Sequence, residues 1–319
     1  MSPVLERFLT LDAVPLACAL LAAWTCAFLG CGLVLRREAM LADALAHAVL
    51  PGLVLAFLVR GERDSLALLI GGALAALAAV LAVEAMGRIT GFERGTAIAC
   101  VFPVFFAAGV LMLELGLGGN VDLDASHVLN GQLELLFWPL APDVPPLAAS
   151  QLLRLPPQFG LLAFVFALTA GLGAICWRRW KLLGFDPGHL ALVAGRPGLQ
   201  RSLHTALVAL AAVAAFEAVG TLVTVALFLG PAATARITTR GFGTLHGAAL
   251  AFASTGVLLG YGLSSRLPMA LDLGPAWSAA GTIAVVLGLQ LALGAAWTGT
   301  RAGRRAVELP RSSPTLPPS

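Results

Sequence analysis

The sequence predicts an all-α polytopic membrane protein that crosses the bilayer about eight times. Hydrophobic residues make up 59% of the chain and charged residues only 12%, whereas about 25% of the residues in soluble domains are charged. A spanning helix needs about 20 consecutive apolar residues, and runs of this length recur along the chain. The mean hydropathy of +0.90 agrees with this assignment to the lipid bilayer.

Eight apolar runs define the predicted spans, and short polar breaks separate most of them. The runs cover residues 14–35, 40–59, 65–87, 96–116, 159–177, 203–229, 243–263 and 277–299. A longer loop lies at 117–158, and we predict a short interfacial helix within its 127–140 part. The whole of 1–300 is predicted to be one transmembrane domain. The last segment, 301–319, is rich in Arg, Pro and Ser and is predicted to be a disordered cytoplasmic tail.

The basic residues give conflicting indications of orientation. Connections after the first, third and fifth spans carry basic residues, which mark cytoplasmic loops: Arg36 and Arg37, Arg88 and Arg94, and Arg178, Arg179 and Lys181. The tail carries further arginines, among them Arg301, Arg304 and Arg305. Eight crossings place both ends of the chain on one side, so these two sets cannot both be cytoplasmic. Either one run does not cross fully or the charge rule is broken locally.

Charge and cysteine usage exclude some classes of function. The net charge is +3, and no basic run indicates binding to nucleic acid. The cysteines lie in or near apolar runs and form no CxxC pair, so we interpret them as small hydrophobic residues of helix interiors rather than a disulfide or zinc framework. They are Cys18, Cys26, Cys31, Cys100 and Cys176.

Ionisable residues inside apolar spans are candidates for function, because each costs at least about 2.5–3.5 kcal/mol at the centre of a membrane helix. Glu217 is central in its run. Asp43 and His47 form the sharpest pair, since positions i and i+4 lie on one face of a helix. That face suits a structural hydrogen bond, a proton relay or a site for a divalent metal ion.

Pro51 and Gly52 follow this pair and predict a broken helix at the site. Proline has no N–H, so the carbonyl oxygen of His47 would lose its helical partner. Gly52 is expected to add flexibility. Interrupted helices at membrane depth are typical of transport sites.

Motifs for ATP or redox chemistry are missing from the sequence. A Walker A motif needs a Gly-Lys pair, and the one lysine, Lys181, follows Trp180. The sequence contains no HExxH and no GxGxxG motif. We therefore expect a protein that is not an enzyme, and any use of ATP must come from another subunit.

Three stretches resemble the membrane permeases of bacterial ABC importers for zinc, manganese or iron. They are "LRREAMLADALAHAVLPGLVLAF" (35–57), "VGTLVTVALFLGPAATARITTRGF" (219–242) and "LLGFDPGHLALVAG" (182–195). The motifs follow in the order of that family and the resemblance covers about residues 14–298. Ala42 and Ala46 stand where the family usually has glycine and serine, and neither departure removes a ligand.

The resemblance implies a multi-pass permease in the bacterial inner membrane, with no tightly bound cofactor and a divalent metal ion as cargo. It implies a homodimer or heterodimer of permeases, a cytoplasmic ATPase subunit and an extracytoplasmic solute-binding protein. Asp43 and His47 then match the family's metal ligands, with Glu217 as a further candidate.

The segment at 231–242 is the expected contact with the ATPase. Its candidate residues are Pro231, Ala232, Ala233, Thr234, Ala235, Arg236 and Arg240. Pro231 is expected to end its helix, and the 181–201 loop is the rival coupling segment.

Two alternatives to the metal importer stay open from the sequence. One is an ABC permease for a metal chelate such as a siderophore. The other is an ATP-independent, proton-coupled carrier in which Asp43, His47 and Glu217 form the relay.

Overall fold

The protein is almost entirely helical in its described part. The structure, a computed structural model, describes residues 8–60, 65–116, 133, 136–138, 154–194, 197–270 and 277–308. Besides a helical turn at 8–11, these ranges contain eleven α-helices and no strand: α1 (Ala13–Leu35), α2 (Met40–Ala48), α3 (Leu50–Arg60), α4 (Ser65–Thr90), α5 (Arg94–Gly116), α6 (Pro157–Phe185), α7 (Pro187–Ala194), α8 (Pro197–Val219), α9 (Thr221–Thr238), α10 (Phe242–Ala270) and α11 (Ala279–Glu308).

Nine stretches of this described chain have the length and apolar composition of a membrane span. α2 and α3 together make one of them, and α7 is too short to count. The additional span arises because the apolar run predicted at 203–229 is two helices, α8 and α9. The expected class is confirmed, with one more candidate span than the eight predicted.

Gly220 separates α8 from α9. Its φ of +86° lies in the left-handed region, which glycine enters without the steric penalty that a Cβ brings. The flanking residues Val219 and Thr221 are both buried, so no exposed loop marks the break. A hydropathy profile of the sequence therefore shows α8 and α9 as one continuous apolar run.

Paired contacts show the directions of the helices around this break. α1 contacts α6 through Trp24–Phe166 and Phe28–Trp180, and it contacts α10 through Trp24–Ser254 and Phe28–His246. α8 contacts α6 through His204–Trp180 and Glu217–Gln158. α11 contacts α10 through Gly256–Leu287 and Gly260–Ile283, and it contacts α9 through Gly230–Leu287 and Thr234–Gly294. α6, α9 and α11 therefore run parallel to α1, whereas α8 and α10 run opposite to it. The chain reverses at Gly220.

The odd number of candidate spans in the described residues removes the conflict over orientation. With nine crossings the connections after the first, third, fifth and seventh spans lie at the same end as the end of α11. These are the parts that carry the basic residues named above, together with Arg236 and Arg240 of the 231–242 segment. Basic loops face the cytoplasm, so this end is assigned to the cytoplasmic side.

A cysteine at Thr238 tests this orientation. Thr238 is the exposed last residue of α9. We expect a membrane-impermeant thiol reagent to label Thr238→Cys only after cell lysis, since α9 ends on the cytoplasmic side. Labelling is followed as a mass shift on gels, with the unsubstituted chain as the background. Labelling of intact cells would show that the assigned orientation is wrong.

The core is built around α1, which packs against α6, α8, α9 and α10. A second group consists of α2, α3, α4 and α5, and it joins the first mainly through α8. Gly256 and Gly260 of α10 let α11 approach, because a Cβ there would collide with Leu287 or Ile283. Four of the free cysteines are buried and Cys100 is exposed.

Two predicted segments fall largely outside the described residues. The helix α11 continues to Glu308, which is eight residues beyond the predicted boundary of the tail. The rest of the tail, 309–319, lies outside the described part, and its disorder stays a prediction. Most of the 117–158 loop, including most of the predicted helix at 127–140, also lies outside it.

Candidate metal site

Asp43 and His47 lie side by side on α2. The Nε2 atom of His47 is 3.7 Å from Oδ1 of Asp43, and the side chains are 31% and 51% exposed, respectively. The spacing of one helical turn places both groups on the same face. A carboxylate oxygen and an imidazole nitrogen at this separation can bind one metal ion together, since each ligand needs to lie about 2.0–2.2 Å from a zinc ion.

The helix is broken directly after this pair. α2 ends at Ala48, and α3 begins at Leu50. Pro51 lies in the first turn of α3, a position that suits proline because the first N–H groups of a helix have no partner within it. The break therefore falls one to two residues before the proline.

Gly52 has a packing role that the sequence did not predict. A Cβ at Gly52 would collide with the backbone of Gly71 in α4, and a Cβ at Gly71 would collide with Gly52. Facing glycines allow two membrane helices to approach closely. We therefore assign Gly52 to a close contact between α3 and α4 rather than to flexibility of the chain.

Two phenylalanine rings of α5 enclose the imidazole of His47. The ring centroids of Phe102 and Phe106 lie 5.3 Å and 5.5 Å from the imidazole centroid. The Nδ1 atom of His47 is buried and has no hydrogen-bond partner among the described residues. Sequence reasoning missed these rings, although Phe102 and Phe106 at positions i and i+4 could have indicated an aromatic face on α5.

The structure does not bring Glu217 to the pair. Gln158 donates a hydrogen bond to Oε1 of Glu217 at 3.2 Å, at the end of α8 far from its basic N-terminal turn. Within the described residues, no three His, Cys, Asp or Glu side chains form a group that could hold a metal ion. Among the described residues of one chain the candidate site is therefore Asp43 and His47, and Glu217 is not brought to them, which a position along a single helix could not show.

A buried charge cluster holds the start of α2. The carboxylate of Glu38 accepts a hydrogen bond from Nε of Arg36 at 3.0 Å, and both side chains are less than 10% exposed. Nε of Arg94 lies 3.5 Å from Glu38 and Nε of Arg201 lies 3.7 Å from it. These residues come from the α1–α2 connection, α5 and α8, so one carboxylate ties three parts of the fold together five residues before Asp43.

The same cluster reaches the interior of the helix bundle through Arg36. Its Nη2 atom donates a hydrogen bond to Nδ1 of the buried His204 at 3.0 Å. Burial lowers the pKa of Arg36, and the adjacent Glu38 carboxylate raises it. Arginine keeps its charge in proteins, so Glu38 supplies the compensating charge that this buried guanidinium needs. Arg36 and Arg94 were interpreted from sequence only as markers of orientation.

The first half of the predicted coupling segment is largely buried, and its second half is largely exposed. Pro231 lies inside α9, which continues to Thr238, so the expectation that Pro231 ends the helix is wrong. Proline removes one N–H from the helix, and the packing of α9 against α1, α10 and α11 supports the helix in spite of it. Pro231, Ala232, Thr234 and Ala235 are buried in that packing, whereas Arg236 and Arg240 are exposed.

A family model described as the ABC 3 transport family matches residues 10–136 and 154–297. The chain belongs to this family. It is therefore a multi-pass membrane permease of an ABC transport system. This membership confirms the resemblance seen in the sequence.

Curated relatives carry names that refer to three metals. The manganese transport system membrane protein MntD of Bacillus subtilis is 34% identical over 236 residues, which cover 72% of this chain and 76% of that protein. The zinc transport system membrane protein TroC of Treponema pallidum is 30% identical, with coverages of 77% and 79%. A probable iron transport system membrane protein of Haemophilus influenzae is 28% identical, with coverages of 77% and 81%.

A solved structure shares the fold. This chain is similar to PsaBC from Streptococcus pneumoniae in complex with Fab, with a TM-score of 0.70 over 91% of this chain and 93% of that chain. The identity of 22% limits the comparison to the arrangement of the helices.

Proposed function

We propose that this permease imports a divalent transition metal ion, with manganese and zinc as the first candidates and iron as a third. The observation that carries the proposal is the 3.7 Å approach of His47 Nε2 to Asp43 Oδ1. Imidazole and carboxylate ligands suit these metals, and proteins select among them by geometry and availability as much as by affinity. The names of the relatives support the same cargo.

Two copies of the chain would complete the ligand set. Zinc in proteins commonly has four ligands, and the described residues of one chain supply two. Asp43 is half exposed, so its carboxylate can also face a second permease. A symmetric pair would place two aspartates and two histidines around one ion, and a related permease could take the place of the second copy.

ATP hydrolysis is assigned to a separate cytoplasmic subunit. The chain has no Walker A motif, and the backbone cradle of that motif is what holds the phosphates of ATP in such enzymes. A solute-binding protein on the other side of the bacterial inner membrane would deliver the metal. No tightly bound cofactor is needed for this task, because the metal is the cargo.

Metal uptake into proteoliposomes tests the proposed function. The permease and its ATPase are reconstituted together, the solute-binding protein is added, and uptake of manganese and zinc is measured with and without ATP. We expect ATP-dependent uptake that a protonophore does not abolish. Uptake by the permease alone, driven by a proton gradient, would instead support the proton-coupled carrier.

The exposed end of α9 is proposed to contact the ATPase. Arg236 and Arg240 are exposed there, and arginine forms strong paired hydrogen bonds with carboxylates of a partner. We expect Arg236→Glu to reduce metal uptake per ATP hydrolysed about tenfold or more, since a charged contact of about 1.5–3 kcal/mol is replaced by repulsion. Both rates are measured in the proteoliposomes.

Arg266 provides a matched control for this charge reversal. It is exposed near the opposite end of α10, so Arg266→Glu makes the same change on the other side of the membrane. This control should keep the wild-type ratio of uptake to hydrolysis. An unchanged ratio in Arg236→Glu would move the coupling role to the 181–201 loop.

A further inference from the structure

The surroundings of His47 differ from those of a typical metal-ligating histidine. Such a histidine binds the metal through one ring nitrogen and donates the other N–H to a carboxylate, a carbonyl or water. In the described structure Nε2 of His47 faces Asp43, and the buried Nδ1 has no such partner. The side of the imidazole away from the candidate metal position is therefore apolar.

Phe102 and Phe106 supply that apolar side. The Phe106 ring is nearly perpendicular to the imidazole, with an interplanar angle of 81°, and the Phe102 ring is tilted by 51°. Both centroid separations lie within the range of about 4.5–7 Å over which aromatic rings attract each other. The Phe102 and Phe106 rings also stack on each other, with an interplanar angle of 29°, so they form one continuous wall.

This wall orients the imidazole but offers no acceptor to its second nitrogen. A hydrogen-bond acceptor on the second nitrogen makes a histidine a stronger ligand and fixes its tautomer. The face of a phenyl ring accepts an N–H only weakly. The ring of His47 is therefore held in place by packing, while its Nε2 lacks the support that tightens metal binding in stable metal sites.

We propose that Phe102 and Phe106 are positioning residues that keep His47 a weak and quickly released metal ligand. The inference rests on the proposed function, in which Asp43 and His47 bind the cargo. A permease must let its cargo leave at every turnover, and differences in affinity between related sites reside mostly in the dissociation rate. An apolar wall at His47 favours fast release.

Two kinds of substitution separate positioning from a merely structural role. Phe102→Leu and Phe106→Leu remove the ring and keep an apolar side chain. Phe102→Gln and Phe106→Gln add an amide oxygen that can accept the N–H of His47. Phe105→Leu is the matched control, because Phe105 is a partly buried ring of the same helix that packs against the core.

Binding of Mn²⁺ alone is measured on the permease purified with its ATPase. The electron paramagnetic resonance signal of free Mn²⁺ reports the dissociation constant, and uptake by proteoliposomes reports the turnover. We expect the leucine variants to bind Mn²⁺ roughly three- to tenfold more weakly, the range of one lost aromatic contact. At least one glutamine variant should bind it about tenfold more tightly and show a correspondingly lower turnover.

The outcomes distinguish this inference from the proposed function. Wild-type affinity in all four variants that alter the wall would overturn the positioning role, provided that Asp43→Ala abolishes binding. Tighter binding in a glutamine variant without a lower turnover would overturn the link to release. Absence of Mn²⁺ binding in the wild type, or binding that Asp43→Ala leaves unchanged, would instead remove the proposed metal site itself.

Discussion

Replacing Asp43 or His47 by alanine is expected to reduce metal uptake to background. Among the described residues each chain contributes these two groups to the candidate site, so one substitution removes half of these ligands. In a dimer of identical chains two of the four ligands are lost, and a site with two ligands no longer matches the four-coordinate geometry that zinc prefers. Uptake of manganese and zinc is measured in cells that lack their own importer.

The abundance of the variants in the membrane decides how the loss is interpreted. Asp43 is half exposed, so Asp43→Ala removes little packing and the chain should reach the membrane in normal amounts. Glu114→Gln is the control, because it neutralises an exposed carboxylate of α5 outside the candidate site. Normal growth of both alanine variants in metal-depleted medium would show that the site is assigned to the wrong residues.

Neutralising Glu38 is expected to destabilise the permease strongly. Glu38→Gln leaves the buried Arg36 without its charged partner, and Arg94 and Arg201 lose the same carboxylate. Removing one partner of a buried ion pair costs roughly 3–5 kcal/mol. The value should lie toward the lower end of that range here, because Arg201 is 40% exposed and water compensates part of its charge.

Thermal unfolding of the detergent-solubilised protein measures this effect. Glu38→Gln should lower the unfolding temperature and the yield of monodisperse protein, and Glu38→Asp should recover part of both because it keeps the charge. Glu93→Gln is the matched control, since Glu93 is an exposed carboxylate at the same end of the molecule. Equal unfolding temperatures for Glu38→Gln and Glu93→Gln would show that the charge cluster contributes nothing to stability.

Glu38 also lies directly before the helix that carries the candidate metal site. α2 is only nine residues long and is interrupted from α3 at Val49. The charge cluster at Glu38 therefore lies at the start of the short helix that carries both Asp43 and His47. We expect a change at the cluster to displace Asp43 and His47 together, because both lie on this one helix.

The sequence by itself determined the membrane class, the order of most spans and the pairing of Asp43 with His47. These features depend on composition and on the 3.6-residue period of a single helix, which brings positions i and i+4 together whatever else surrounds them. The loss of one helical hydrogen bond at Pro51 is also a local feature that the sequence determines, because proline has no N–H. The structure places a helix break beside it, at Val49.

Only the tertiary structure decided what lies around these residues. Glu38 is joined to Arg201, 163 positions along the chain, and Phe106 reaches His47 from another helix, so no periodicity relates them. The break at Gly220 depends on a single dihedral angle between two apolar stretches, and the separation of Glu217 from Asp43 depends on how α8 packs. Contacts along one helix follow from the geometry of that helix, which the sequence alone can predict. Contacts between helices follow from packing and close approach, so only the tertiary structure could show them.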